Sequence, residues 1–180
     1  TNALIKIFLS MNEHNISNLT AFSSSGGCGC KLDPDYLKEI IGEGGREVFS
    51  ENLLVGNLSN DDAAVYDLGD GTAIVNTTDF FTPIVDDPLS YGQIAATNAI
   101  SDIYAMGGTP LMALAILGWP KTKLSSDVAR TVLEGAKQVC HGINIDIAGG
   151  HSIECSEPIF GLSVVGRIKC NHIKTNNRAN

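Results

Sequence analysis

The amino-acid sequence predicts an α/β (α+β) domain in which helices cover one face of a mixed β-sheet. Two β-rich runs, residues 63–68 and 72–78, are joined through Gly69-Asp70-Gly71, a combination typical of hairpin turns. Farther along the chain, helical periodicity alternates with short apolar runs, which indicates strands connected by helices. The chain has 180 residues and is 43% hydrophobic, so it is long enough to bury a single core.

The other elements follow from the signals at their ends. Asp33 is a favourable N-cap, Pro34 suits a first helical turn and Gly42 ends the apolar face, so a short helix is expected between them. A second helix over residues 90–106 is expected to end at Gly107-Gly108. The remaining predicted elements are a buried strand over 111–117, an amphipathic helix over 126–141, and strands over 143–148 and 159–168.

Both ends of the chain are expected to be flexible. Residues 1–32 form a leader whose stretch from Ser23 to Lys31 is rich in Ser and Gly. Residues 171–180 are polar and aperiodic, so we interpret them as a frayed tail or as the point where a longer chain was cut. The α/β domain itself is predicted to span residues 33–170.

Charge and composition exclude several classes of partner. The formal net charge of -8 argues against nucleic acid and anionic membranes, because both need clustered Lys and Arg. No apolar segment reaches the roughly 20 residues that span a bilayer. The odd count of 5 Cys disfavours a disulfide framework and favours a reducing, cytoplasmic location. An acidic protein of this kind could bind a polyanion only with divalent cations between them.

The leader carries a candidate nucleophile. Cys28, Cys30 and Lys31 lie on a Gly-rich stretch that is too flexible to have been selected for packing. The thiolate is the reactive form of cysteine, and a neighbouring ammonium group favours it. Two alternatives remain: a disordered leader that happens to carry two cysteines, and a zinc site, which lacks a second cysteine pair at suitable spacing.

Carboxylates are concentrated around the predicted hairpin. Asp61 and Asp62 precede its first strand and Asp79 follows its second, so the three side chains are expected at one edge of the sheet. Carboxylates grouped without basic partners suit Mg²⁺, a hard cation that takes oxygen ligands and accompanies nucleotide phosphates. The alternative for Asp61 and Asp62 is a solvated turn.

The helix over 90–106 has a polar stripe on an otherwise apolar surface. Asn98 and Asp102 are four residues apart and therefore lie on the same side of the helix, where Asn98 is expected to orient Asp102. Because such an apolar helix is mostly buried, the stripe must face polar groups. A second metal ligand at Asp102 is one interpretation, and a structural aspartate satisfied by a nearby Ser, Thr or backbone group is the other.

A Gly-Gly pair follows the strand predicted over 143–148. Gly149 and Gly150 would let backbone N–H groups approach phosphate oxygens, and His151 and Ser152 come directly after them. The signal is weak alone, because a Gly-Gly turn after a strand is common. Neither a Walker-type Gly-Lys-Ser/Thr sequence nor a G-x-G-x-x-G fingerprint is present.

Seven motifs in order, from about Gly26 to Gly166, resemble the selenophosphate synthetase (selenide, water dikinase) family. They are Gly27-Cys28-Gly29-Cys30-Lys31, Asn52-Leu53-Leu54-Val55-Gly56-Asn57, Asp61-Asp62-Ala63-Ala64-Val65-Tyr66, Thr77-Thr78-Asp79-Phe80-Phe81, Ala95-Ala96-Thr97-Asn98-Ala99-Ile100-Ser101-Asp102, Ala115-Ile116-Leu117-Gly118-Trp119-Pro120 and Ala148-Gly149-Gly150-His151-Ser152. The resemblance implies a fold like that of aminoimidazole ribonucleotide synthetase, with two N-terminal domains forming a dimer-spanning β-barrel. It also implies the Mg²⁺-dependent conversion of ATP, selenide and water into selenophosphate, phosphate and AMP.

The resemblance further implies roles for individual residues. Cys28 and Lys31 would be catalytic, and Asp62 and Asp102 would hold the metals that bridge the ATP phosphates. The implied nucleotide contacts are Lys31, Ser59, Asn60, Asp61, Asp79 and Asp102, together with Gly150, His151 and Ser152 supplied by the partner of a homodimer. Whether Cys28 delivers selenium or closes the leader over it stays open.

Members of this family continue well beyond residue 180 into a second α/β domain that supplies a further metal-binding aspartate. The chain therefore resembles the N-terminal part of such an enzyme, and its activity by itself stays open. The competing enzyme class is another ATP-dependent relative, such as thiamine-phosphate kinase or the hydrogenase-maturation carbamoyl dehydratase. The competing non-enzyme class is a nucleotide-binding dimerisation module.

Overall fold

The computed structural model describes residues 18–42, 50–56 and 61–176. Their centre is one mixed sheet of six strands in the order β1-β2-β3-β6-β4-β5, in which only the β4–β5 pair is parallel. The mixed α/β fold class is therefore confirmed. The strands are β1 Leu53–Val55, β2 Ala64–Asp67, β3 Thr72–Phe81, β4 Thr109–Trp119, β5 Asp146–Glu154 and β6 Ile159–Lys169, and the α-helices are α1 Pro34–Ile41, α2 Pro88–Ala105 and α3 Ser126–Gly142.

Each helix begins at a side-chain cap. Asp33 accepts hydrogen bonds from the N–H groups of the next turn, which confirms the predicted start of α1. Helix α2 begins before the predicted residue 90, because Asp87 caps it through the Ser90 N–H at 2.8 Å and Pro88 occupies the first position. Ser125 caps α3 through the Val128 N–H.

The core lies between the sheet and the two long helices. Side chains of β3 and β6, such as Val75 and Val164, are buried on the face that α2 covers. Tyr91 of α2 is fully buried and makes edge contacts with Phe81 at 6.0 Å and with Phe160 at 6.3 Å between ring centroids. Helix α3 packs against α2, β4 and β5, so both helices lie on one face of the sheet, as predicted.

The strand predicted over 143–148 is shifted, and this changes the setting of the Gly-Gly pair. Strand β5 runs from Asp146 to Glu154, so Gly149 and Gly150 lie inside it rather than in a turn after it. Both glycines have positive φ values, 150° and 157°, and the register with β4 shifts between Ile147 and Gly150, after which the pairing resumes. Glycine was therefore a misleading turn signal here.

One correction and one further observation concern the hairpin. Asp79 lies within β3 rather than after it, since Phe80 and Phe81 extend the strand. The hairpin strands are not edges, because β1 pairs with β2 and β6 pairs with β3. Within the described residues the edge strands are β1, which is too short to have been predicted, and β5.

The described parts of both chain ends pack against the domain. In the leader, Leu19 is fully buried and Thr20 donates two hydrogen bonds to the Asp86 carboxylate. In the predicted tail, the Lys174 N–H donates to the Met106 carbonyl at 3.0 Å, so fraying does not begin at residue 171. In the part of the chain that the structure describes, no helix is both long and apolar enough to cross a membrane.

Candidate functional site

An acidic cleft of about 1220 Å³ lies between the leader, α1, β3 and α2. Five of its lining residues are aspartates, Asp33, Asp61, Asp62, Asp79 and Asp102, against the single ammonium group of Lys31. The cleft thus collects most of the predicted site residues that the structure describes. Its remaining lining residues are Gly29, Cys30, Leu32, Pro34, Leu37, Thr77, Thr78 and Phe80.

Two hydrogen bonds between β3 and α2 form the floor of this cleft. The Thr77 hydroxyl of the strand donates to Asp102 Oδ2 of the helix at 2.7 Å. In the opposite direction, Asn98 Nδ2 of the helix donates to Asp79 Oδ2 of the strand at 2.6 Å. The expectation that Asn98 orients Asp102 is therefore wrong, because Asn98 reaches across to the strand instead of along its own helix.

The Asp102 carboxylate lies in an environment that disfavours its charge. Its pKa is raised, primarily by burial and further by the nearby Asp79 and Asp62 carboxylates, while the Thr77 hydrogen bond opposes the shift. The Lys31 ammonium group acts in the opposite direction but does not reverse the shift, so ionised Asp102 is short of compensating positive charge in the free protein. A bound cation would supply that charge.

The donor set fits Mg²⁺ held jointly by protein and phosphate. Asp62 is exposed at the cleft, and Asp102 lines it while keeping Oδ1 free of hydrogen bonds from the described residues. Among those residues, no three His, Cys, Asp or Glu side chains are grouped tightly enough to hold a metal ion alone. Mg²⁺ commonly takes one or two carboxylates and completes its shell with phosphate oxygens and water, so two aspartates suffice.

The leader reaches the cleft through Lys31. Its Nζ lies 3.5 Å from Asp79 Oδ2, and its side chain is 57% exposed. Residues Gly27–Cys30 form a 3-10 turn, anchored where the Gly27 N–H donates to the Thr82 carbonyl. The Cys28 side chain lies outside what the structure describes, so its catalytic role stays a prediction, whereas the Cys30 thiol donates to the Gly27 carbonyl at 2.9 Å.

The predicted nucleotide contacts next to Asp62 are only partly described. Ser59 and Asn60 lie outside the described residues. Asp61 lines the cleft, but its Oδ1 accepts a hydrogen bond from the Asn176 N–H at 2.7 Å. The C-terminal segment of the described chain therefore covers part of this carboxylate.

Gly150, His151 and Ser152 are not brought to the acidic cleft. They line a second cavity of about 490 Å³ between β5 and α3, with Arg130 and Lys137 among its other lining residues. Strands β3 and β5 are three steps apart in the sheet order, a separation of about 14 Å at the usual strand spacing. If these residues contact a nucleotide, as predicted, that nucleotide lies outside the acidic cleft of their own chain.

Thr77 binds Asp102 in the cleft, and the sequence interpretation assigned it no role. A threonine in a β-rich run carries no chemical signal, since Thr is common in strands. The available signal was alternation: Ala73 and Val75 are apolar and two residues apart, which puts Thr77 on the same buried face, where a hydroxyl needs a partner.

Comparisons with known proteins agree with this architecture. The family model described as AIR synthase related protein, N-terminal domain, matches residues 60–168. A selenide, water dikinase from Photobacterium profundum is 58% identical over 161 residues, which cover 89% of this chain and 46% of the relative. The selenide, water dikinase of Escherichia coli (strain K12) is 54% identical over 169 residues, covering 94% of this chain and 48% of the relative. The chain thus spans about half the length of these relatives.

Solved structures share the fold at low identity. AaThiL complexed with AMPPCP and TMP superposes with a TM-score of 0.62 at 21% identity, covering 81% of this chain and 43% of that one. T. maritima PurL complexed with AMPPCP gives 0.63 at 11% identity, covering 82% of this chain and 26% of that one. At such identities the likeness supports the fold and nothing finer.

Proposed function

The chain belongs to the AIR synthase related proteins, of which it contains the N-terminal domain, and from this premise we propose that it is the ATP-binding part of a selenide, water dikinase. The reaction would convert ATP, selenide and water into selenophosphate, phosphate and AMP. The observation that carries the proposal is the acidic cleft, in which Asp102, Asp79 and Lys31 are arranged around a preformed floor. Selenide is proposed as the substrate because the relatives are selenide, water dikinases.

The charge balance of the cleft supports binding of ATP together with a divalent cation. A polyphosphate alone would be repelled by five aspartates facing one lysine. When bound, Mg²⁺ would neutralise phosphate charge, which together with positioning is most of what phosphoryl transfer requires. Asp62 and Asp102 would hold it, and Asp79 would contact the nucleotide beside them.

Lys31 would move from a carboxylate to a phosphate as ATP binds. Its contact with Asp79 is long, at 3.5 Å, and the Lys31 side chain is 57% exposed whereas that of Asp79 is 13% exposed, so the lysine end of the pair is free to move to another anion. An ammonium group on the transferred phosphoryl stabilises the charge that develops there. Cys28 belongs to the same leader turn, and its neighbours Gly29 and Cys30 line the cleft. We therefore propose that Cys28 acts on selenide rather than on ATP.

The site would be completed by a second copy of the chain. Large apolar side chains lie on the open face of the sheet, opposite the helices, and are 41–57% exposed: Tyr66, Phe80, Met112, Leu114 and Ile153. Burial of this face in a homodimer would favour association. It would also let Gly150, His151 and Ser152 serve the partner's nucleotide, since they line a cavity apart from their own cleft.

A cytoplasmic location is part of the same proposal. The thiols of Cys30, Cys140, Cys155 and Cys170 are free, as expected in a reducing compartment. Selenide, which is easily oxidised, would need the same conditions.

Formation of AMP with and without selenide tests the activity. The chain is incubated with Mg·ATP under anaerobic conditions, and nucleotides and selenophosphate are quantified by ³¹P NMR. Selenide-dependent AMP and selenophosphate confirm the reaction for this chain. Binding of Mg·ATP without turnover would restrict its function to a nucleotide-binding half, and ADP formed with thiamine phosphate as acceptor would favour the competing kinase class.

Sedimentation at micromolar concentration tests the shared site. The wild type should sediment as a dimer, whereas Leu114→Asp should shift it to monomer because a carboxylate would be buried in the apolar face. A wild type that is only monomeric would remove the roles given to Gly150, His151 and Ser152.

A further inference from the structure

Thr77 has an uncommon position for a polar side chain in this fold. It is 7% exposed, on the face of β3 that α2 covers, and its hydroxyl lies 2.7 Å from Asp102 Oδ2. The same hydroxyl lies 3.4 Å from the Asp62 backbone carbonyl. Thr77 thus lies between the two residues assigned to Mg²⁺, while its own side chain is largely hidden from solvent.

The geometry determines where the single hydroxyl proton goes. A 2.7 Å contact with a charged acceptor is far stronger than a 3.4 Å contact with a carbonyl, so the proton is donated to Asp102. Because Thr77 is buried, water competes little for this bond. The bond therefore fixes the Asp102 carboxylate in one orientation, with Oδ1 left for another ligand.

We infer that Thr77 is a positioning residue for Mg²⁺ that acts through Asp102, an inference that rests on the proposed function. The hydroxyl holds Oδ2, which leaves Oδ1 of the same carboxylate for the metal. The rival account is that Thr77 only satisfies a buried aspartate. The two accounts differ in what removal of the hydroxyl does to the Mg²⁺ requirement.

Thr77→Val removes the hydroxyl at nearly constant volume, and Thr77→Ser retains it. Binding of AMPPCP is measured by calorimetry over a Mg²⁺ titration, and melting temperatures are recorded for each protein. We expect Thr77→Val to need about tenfold more Mg²⁺ for half-maximal nucleotide binding, as is typical when the partner of a metal ligand is lost. Thr77→Ser should remain within about twofold of the wild type.

An unchanged Mg²⁺ requirement in Thr77→Val, with only a lower melting temperature, would overturn the inference and favour the structural account. A Thr77→Ser protein as impaired as Thr77→Val would overturn it too, because the hydroxyl would then not be the cause. If Thr77→Val does not fold, Thr77→Ala provides the same comparison. A wild type that binds no nucleotide with Mg²⁺ overturns the proposed function, and the inference falls with it.

Discussion

The acidic cleft and strand β5 were both predicted to contact nucleotide, yet they are built differently. The cleft is held by side-chain hydrogen bonds between two elements of the same core, Thr77 to Asp102 and Asn98 to Asp79. Strand β5 is an edge strand with mostly exposed residues, and its Gly150 lies against the β4 backbone. The floor of the cleft is therefore preformed, whereas β5 leaves most of its residues exposed at the edge of the described sheet.

Substitutions in the two regions are therefore expected to act in different ways. Side chains of the cleft can be altered while the fold remains, because the hydrophobic core beneath them supplies the stability. In β5 the close contact is between backbones, so even a methyl group has a large structural effect. Loss of function after a substitution in the cleft would indicate lost binding or chemistry. After a substitution in β5 it would first indicate a damaged structure.

The largest expected effect is on stability, from Gly150→Ala. A Cβ at this position would lie 2.0 Å from the Ala115 carbonyl oxygen, and φ is 157°. Steric overlap and backbone strain together should lower the free energy of unfolding by about 3 kcal/mol, measured by urea denaturation.

Gly149→Ala is the matched control for this substitution. Its φ is 150°, but the nearest atom to its Cβ would be Leu114 Cδ2 at 3.9 Å, so it shares the backbone strain without the overlap. Its loss should be about half as large. Equal losses for the two variants would show that close packing against β4 is not what requires glycine at position 150.

The leader should give the next effect, a change in proteolysis at the mouth of the cleft. Contacts with Asp86 and Thr82 anchor it, and under the proposed function exposed Lys31 would exchange Asp79 for phosphate. Cleavage within residues 20–31 should therefore slow several-fold when AMPPCP and Mg²⁺ are added. Asp86→Ala, which removes the Thr20 anchor, should speed cleavage of the free protein. Identical rates with and without ligand would count against ordering of the leader over ATP.

A smaller effect is expected at the start of α2, the helix that carries Asp102. Hydrogen bonds from the Ser90 side chain and N–H lower the pKa of Asp87. Because its folded pKa is depressed, the cap contributes fully above the unfolded value of about 3.9 and is lost as pH falls through the folded pKa. Asp87→Ala should cost about 1 kcal/mol at pH 7.

Denaturation curves at several pH values test this assignment. The difference in stability between wild type and Asp87→Ala should shrink below about pH 4, whereas Asp87→Asn should retain most of the cap. A difference that stays constant down to pH 2 would show that charge at Asp87 plays no part.

The sequence predicted features with local signals and missed those that depend on packing. The cap at Asp33 and the turn at Gly69-Asp70-Gly71 indicated elements that the structure contains, because both are determined within a few residues. The pairing of Asn98 with Asp79 could not be predicted, since it depends on how α2 is seated on β3. The path of β5 through Gly149 was missed because glycine normally marks turns.

Calorimetric titration of Mg·ATP into wild type, Asp62→Asn and Asp102→Asn tests the central claim most directly. Asn at 102 keeps an oxygen for the Thr77 hydroxyl and removes a charge that is disfavoured in the free protein. We predict that both variants lose Mg²⁺-dependent ATP binding while their melting temperatures equal or exceed that of the wild type. Intact affinity in Asp102→Asn together with a markedly lower melting temperature would contradict the account, because Asp102 would then be part of a structural network rather than a metal ligand.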